Sequence, residues 1–230
     1  MNVFKKYIRC IHRWLGLLIG LLVFVIAGTA CVYAFQEEIQ NYTDDYRFCK
    51  RTRRSSLLPE SIQKIAVTAL PNLVLHSIKY FENDHTVEVT FYNSDPTYYY
   101  KMFIHPETGS VLHIQNMDEG FFNFILKGHM YLWLPAKAGS ILVRYVTIIF
   151  LVMVITGFIL WLPKSIKYLK KRAWIHWNHS SSWKRKNWTL HSVTGFYSFA
   201  FAILFICTGL VWVLPEFATF YYKVFGGQKS

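Results

Sequence analysis

Two of the nine histidines in this chain stand at the entry of long apolar runs. His12 lies in "IHRWLGLLIG", residues 11 to 20, and His191 in "LHSVTGFYSF", residues 190 to 199. Each is followed four positions later by glycine, Gly16 and Gly195. A neutral imidazole can give its lone pair to a metal, and two of them on opposite faces of one iron hold a b-type haem. That chemistry needs two helices presenting the rings at one depth, with small residues such as Gly16, Gly20 and Gly195 leaving room for a flat macrocycle. Arg13, beside His12, could pair with a haem propionate. Histidines at the rim of an apolar run also serve as interfacial anchors, so the residues alone leave ligation and anchoring both open.

Register favours treating the two as a pair. Aligned on the histidines, Gly28-Thr29 falls within a residue or two of Thr208-Gly209, and Glu37 and Glu216 each stand 25 positions after their histidine. The ends "TGFILWLP" and "TGLVWVLP" echo one another, which points to a weak internal repeat. Helices carrying His12 and His191 would then run parallel, with both rings at the same level.

The remaining histidines carry weaker signals. His129, in "KGHMYLWLPAKAGS", precedes the second apolar run. His176 and His179, in "WIHWNHSSSW", could share a helical face, but their Trp and Lys neighbours fit an interfacial amphipathic segment better. His76, His85, His105 and His113 follow no zinc spacing and are expected at the surface. Arg51, Arg53 and Arg54 read as a solvated basic linker. Arg144 would snorkel from its apolar run or meet a propionate. Cys10, Cys31, Cys49 and Cys207 form no C-x-x-C pair and are not expected to build a disulfide framework.

Three apolar runs must position these groups. Of the 230 residues 53% are hydrophobic, 18% aromatic and only 17% charged, below the share usual in soluble domains. Leu15 to Phe35 holds 21 residues without a charge, which as a helix span about 31 Å, close to a bilayer core. Tyr145 to Leu162 and Ser192 to Leu214 are two more such runs, and seven of the eight Trp cluster at the run ends. The expected organisation is a cytoplasmic N-terminus (1–14), a first span (15–35), an outer domain (36–139), a second span (140–162), a basic loop (163–190), a third span (191–214) and an outer tail (215–230).

Charge sets the expected orientation. Lys5, Lys6, Arg9 and Arg13 precede the first span, and eight Lys and Arg lie between residues 163 and 190, with no acid in either stretch. Those twelve positive charges equal the net charge of +12. The positive-inside rule therefore places the N-terminus and the 163–190 loop in the cytoplasm. The basicity is a topology signal and suits contact with anionic lipid; it does not call for nucleic acid. The start of the chain also loosely fits a signal peptide ending at Cys31, but the apolar run continues to Phe35, so an uncleaved anchor is expected.

Residues 36–139 need their own fold. "LPESIQKIAVTAL" (58–70) reads as a helix with Pro in its first turn, closed by Pro71. The runs "NLVLHSIKYF", "TVEVTFY", "YYYKMFI" and "SVLHIQN" read as strands, the last two joined by the turn "HPETGS", and Val87, Val89 and Phe91 alternate toward one buried face. A helix on a small antiparallel sheet is an α+β module.

The helix, the strands and the closing "YKMFIHPETGSVL" resemble the PepSY domain, whose hairpin reads like "vDPxTGxvL". "HRWLGLLIGLLVFVIAG" and "LHSVTGFYSF…TGL" resemble the PepSY-associated transmembrane family, over about residues 8 to 214. The chain departs from that pattern at His105, where the family usually has Asp, and in lacking the fourth span and second PepSY module of many larger members. The resemblance implies an α-helical integral membrane protein with three transmembrane helices and an extracytoplasmic PepSY-like module between the first and second. The family includes iron-uptake-linked membrane proteins and ferric-siderophore reductases carrying haem b in the membrane. It thus implies haem b ligated by His12 and His191, and a bacterial inner-membrane location. His129 resembles the family's "LHxxLxxGxxG" segment; it would ligate a haem across a homodimer, hold a single-ligand site, or cap the span. The function expected is electron transfer across the membrane to a ferric siderophore or another outer acceptor, as a reductase or reductase subunit. The chain has no Gly-rich dinucleotide fingerprint, so a quinol or a partner flavoprotein would supply the electrons. The rival is a non-enzymatic module, anchored in the lipid bilayer, that binds a protein or envelope ligand.

Overall fold

The structure is a computed structural model that describes residues 3–50, 52, 55–82, 84–163, 165–177 and 181–227. Arg51, Arg53, Arg54 and His179 lie outside the described residues. In chain order the elements are α1 (Val3–Ala34), α2 (Gln36–Thr43), α3 (Pro59–Ala69), β1 (Leu75–Lys79), β2 (Val87–Ser94), β3 (Thr97–Ile104) and β4 (Val111–Asn116). Then come α4 (Gly120–Tyr131), α5 (Ala136–Trp161), α6 (Leu169–Ala173), α7 (Trp183–Val213) and α8 (Pro215–Val224). They fall into two compact units, residues 28–128 and residues 1–27 with 129–230.

α1, α5 and α7 are each long and apolar enough to cross a membrane. α1 starts at Val3 and α7 at Trp183, well before the apolar runs. Lys and Arg are good helix formers, and a helix can leave the bilayer without ending there. The rims expected as N-terminus and loop are thus partly helical. α8 likewise gives the expected tail a helix, opened by Pro215 at its first position.

Ring stacking joins α5 to α7. Trp161 lies on Phe196 with centroids 3.8 Å apart and planes 8° apart, and Phe158 lies on Phe199 at 4.3 Å. The end of α5 therefore meets the early part of α7, and the two run antiparallel. Lys5 donates to the Leu162 carbonyl at 2.8 Å, so α1 begins where α5 ends. On α1 the buried residues Ile8 and Ile19 share a stripe with His12 and Leu15, at i, i+4, i+7 and i+11, while Leu17, Leu18, Leu21 and Phe24 are about three-quarters exposed, as on a lipid-facing side.

In the other unit the sheet has the order β1-β2-β3-β4, all antiparallel. Val87, Val89 and Phe91 of β2 pair with Ile104, Met102 and Tyr100 of β3 on one face. That face closes on Ile62 and Ala66 of α3, and these seven apolar side chains other than Tyr100 are essentially fully buried. The predicted helix and four strands are all present; β2 runs two residues past its predicted run, to Ser94, and β3 starts one residue before its own, at Thr97. On the opposite face Glu88 and Lys101 form a 2.8 Å ion pair, and Arg47 reaches from the 3₁₀ turn Asp45–Arg47 to Gln40 at 2.8 Å and Asn41 at 3.0 Å.

Candidate functional site

The geometry around His12 begins with its own helix face. The ring is partly buried on the inward stripe of α1 and meets α5 at Thr156 and Gly157. Thr156 Oγ1 donates its proton to the Val152 carbonyl at 2.8 Å or that of Met153 at 3.0 Å, as helical Thr hydroxyls do. Its lone pair is therefore free to accept from His12 Nδ1, 3.1 Å away. In the neutral ring this places the proton on Nδ1 and leaves the Nε2 lone pair bare. Metal-bound histidines are held by this kind of outer hydrogen bond. Gly157 faces the same ring closely: a Cβ there would lie 3.1 Å from His12 Cε1 and would push the ring aside by a few tenths of an ångström.

His191 comes from α7 and lies beside His12, ring centroids 6.2 Å apart and planes inclined at 54°. His191 is exposed, and among the described residues no hydrogen bond holds its ring. The rings are too far apart to stack; the Tyr46–His113 stack, for comparison, closes to 4.0 Å. Two imidazoles on opposite faces of one iron, with iron–nitrogen bonds of about 2 Å, would have centroids roughly 6 Å apart. Of the glycines expected to leave room, Gly16 faces α5, where a Cβ would meet Met153 Cε at 3.4 Å, while at Gly20 and at the exposed Gly195 a Cβ would meet nothing within 4 Å. Arg13, exposed, lies with its guanidinium carbon 6.0 Å from the Trp14 ring.

His129 sits at the end of α4, on a helix the sequence did not announce. Its Nδ1 lies 2.9 Å from the Ile26 carbonyl of α1. A carbonyl only accepts, so Nδ1 carries the proton and Nε2 again keeps its lone pair. Ile26 follows His12 by 14 residues of helix, about 21 Å along the axis. Two successive residues after α4, Leu132 and Trp133, have φ of 52° and 58°, the left-handed region that non-glycine residues avoid. The turn they make folds α5 back so tightly that a Cβ on Gly139 would lie 2.8 Å from Tyr131 Cα. In the same span Arg144 has a buried Nε with no hydrogen-bond partner.

The module's histidines do not converge. His76 stands edge-on to Tyr92, His85 lies between Phe48 and Phe81, and His113 stacks on Tyr46. Among the described residues no three His, Cys, Asp or Glu side chains gather as metal ligands. His105 explains its own departure from the family's turn. Its Nδ1 accepts from the backbone N–H groups of Glu107 at 3.2 Å and Thr108 at 3.3 Å, the bonds an Asp carboxylate makes in an Asx-turn. The turn closes through Gly109, at φ 75°. None of the four cysteines is in a disulfide, and Cys49 Sγ lies 3.5 Å from the His85 carbonyl.

Sequence reasoning missed Thr156 and Gly157. It marked them only as part of the echo between span ends; their meeting with His12 is tertiary. No curated protein matches the chain closely enough to count as a relative. The family model described as the PepSY-associated TM region matches residues 9–228. With three membrane-length helices, a small antiparallel sheet between the first two, and that match over nearly the whole length, the chain belongs to the PepSY-associated TM family of membrane proteins.

Proposed function

We propose that this membrane protein binds haem b between His12 and His191 and carries electrons across the bilayer to an acceptor on the side of the PepSY-like module. The observation that carries the reading is the 6.2 Å separation of the two rings, one of them tethered through Nδ1 so that Nε2 is bare. When bound, haem supplies a one-electron carrier whose potential follows its axial ligands and the dryness of its site. The chain's own part is to fix the tautomer of His12 through Thr156, seat its ring against Gly157, leave the helix surface at Gly195 open, and surround the pair with the apolar faces of the helices. Arg13 at the rim offers a cation to a propionate. His129, with its Nε2 lone pair, stands about 21 Å further along α1 and would take part in a second site only with a ligand from elsewhere, such as a second copy of the chain. Ferric siderophore is the acceptor we favour, and a quinol or partner flavoprotein the donor. The positive-inside rule puts the His12 end in the cytoplasm of a bacterial inner membrane.

Protein purified from haem-replete cells tests this reading by its reduced-minus-oxidised spectrum. A b-type α-band at one haem or more per chain is expected. Colourless protein would overturn the reading and leave the rival, an anchored PepSY-like module that binds an envelope ligand without redox chemistry.

A further inference from the structure

Beside the start of α7, on the segment that joins it to α5, lies a cavity of about 370 Å³. Three cations, Lys171, Arg172 and Arg185, line it together with Trp174, Trp188 and the hydroxyl-bearing turn of Thr189 and Ser192. Residues 163 to 190 contain no carboxylate, and the ion pairs among the described residues, Arg47–Asp44 and Lys101–Glu88, lie in the other unit. Arg172 is fixed in place: its Nη1 donates to the Trp161 carbonyl and caps the end of α5. The cavity thus gathers guanidinium, ammonium and hydroxyl donors with no internal anion to meet them. Its rim is aromatic, Trp174 being 67% and Trp188 61% exposed, which is how a membrane–water boundary is built.

We propose that this cavity is a binding site for a phosphate anion held at the membrane surface. Arg185 and Lys171 contact the phosphate oxygens, Thr189 and Ser192 donate hydroxyl hydrogen bonds, and the two indoles seat the apolar part of the ligand. Arginine forks and lysine point charges with adjacent hydroxyls are phosphate-binding chemistry. A cluster of this kind beside a span also matches the recognition of anionic headgroups. A phosphodiester lipid and a soluble phosphate compound offer the same oxygens. The proposal does not rest on haem at His12 and His191, neither of which lines the cavity.

Native mass spectrometry of the full chain, released from nanodiscs of phosphatidylglycerol and phosphatidylcholine, tests the site. A second arm titrates inorganic phosphate against the detergent-solubilised protein and follows Trp fluorescence. The double variant Lys171→Gln, Arg185→Gln is compared with Lys167→Gln, Lys184→Gln, which removes the same charge outside the cavity. Preferential retention of phosphatidylglycerol, weakened about tenfold by the cavity pair and unchanged by the control pair, assigns a lipid headgroup. Saturable binding of inorganic phosphate with the same residue dependence assigns a soluble phosphate. If the cavity variant proves misfolded by circular dichroism, Arg185→Gln alone with Arg185→Lys as its conservative counterpart replaces it. Equal losses in the cavity and control variants, or no binding in either arm, overturns the proposal.

Discussion

At the scale of single residues, what matters is which nitrogen carries a proton. His12 and His129 both commit Nδ1 to an oxygen, one a hydroxyl on α5 and the other a carbonyl on α1, so both keep Nε2 for another partner. His105 does the reverse: its Nδ1 accepts from two backbone N–H groups, and its Nε2 lies 3.3 Å from the Lys50 carbonyl. The imidazole here is doing a carboxylate's work in a turn. His105→Ala should therefore lower the local stability of the β3–β4 hairpin by about 1–2 kcal/mol, and His105→Asp should retain most of it, as read by hydrogen exchange of the hairpin amides in the full chain. Equal loss in both variants would mean the turn needs the ring and not its acceptor. Tyr46 supplies a pH signature. Burial, then its hydrogen bond to Asp44, pushes the phenol above its ordinary value. A phenol raised on folding contributes stability in full below the unfolded value of about 10, and loses it as pH rises from there through the folded value. Urea unfolding of the full chain should show stability falling above about pH 10, and less steeply in Tyr46→Phe. A variant with the parent's slope would remove Tyr46 as the cause.

At the scale of elements, legibility followed the range of the cause. The strands were readable because a period of two is written in neighbouring residues: Val87, Val89 and Phe91 point inward and Glu88, Thr90 and Tyr92 do not. The three spans were readable because the bilayer asks only for length and apolarity. α4 was not, since "GFFNFILKGHMY" is apolar without either period and ends in a turn of two left-handed residues that no local rule favours. The starts of α1 and α7 were placed late for a different reason: charge marks where a bilayer ends, and hydrogen bonding decides where a helix does. The pairing of His12 with His191 was visible as a repeat, but Thr156 and Gly157, which hold the His12 ring, come from a third helix and leave no local trace. The sheet core gives the prediction at this scale. Phe91→Ala removes a fully buried ring from the face shared with α3 and should cost about 3–5 kcal/mol, seen as loss of hydrogen-exchange protection along β1 to β4. Protection unchanged in that variant would mean the sheet is held from its other face.

At the scale of the whole molecule, the account joins a charge map to a pair of rings. Twelve positive charges, with no carboxylate among them, lie in residues 1–14 and 163–190, and both histidines of the proposed site stand in or beside these stretches. The orientation this predicts can be read by labelling. In a cysteine-free background, Asn72→Cys should react with an impermeant maleimide added outside the cell membrane, and Ser182→Cys only after the membrane is opened; the opposite pattern would invert the topology. The central claim, that His12 and His191 share one iron, is tested most directly by comparing the reduced-minus-oxidised spectra of His12→Ala and His191→Ala with that of the parent protein. The account predicts that each variant loses the same spectral component. A component that survives either substitution, or is lost in only one of the two, would contradict it.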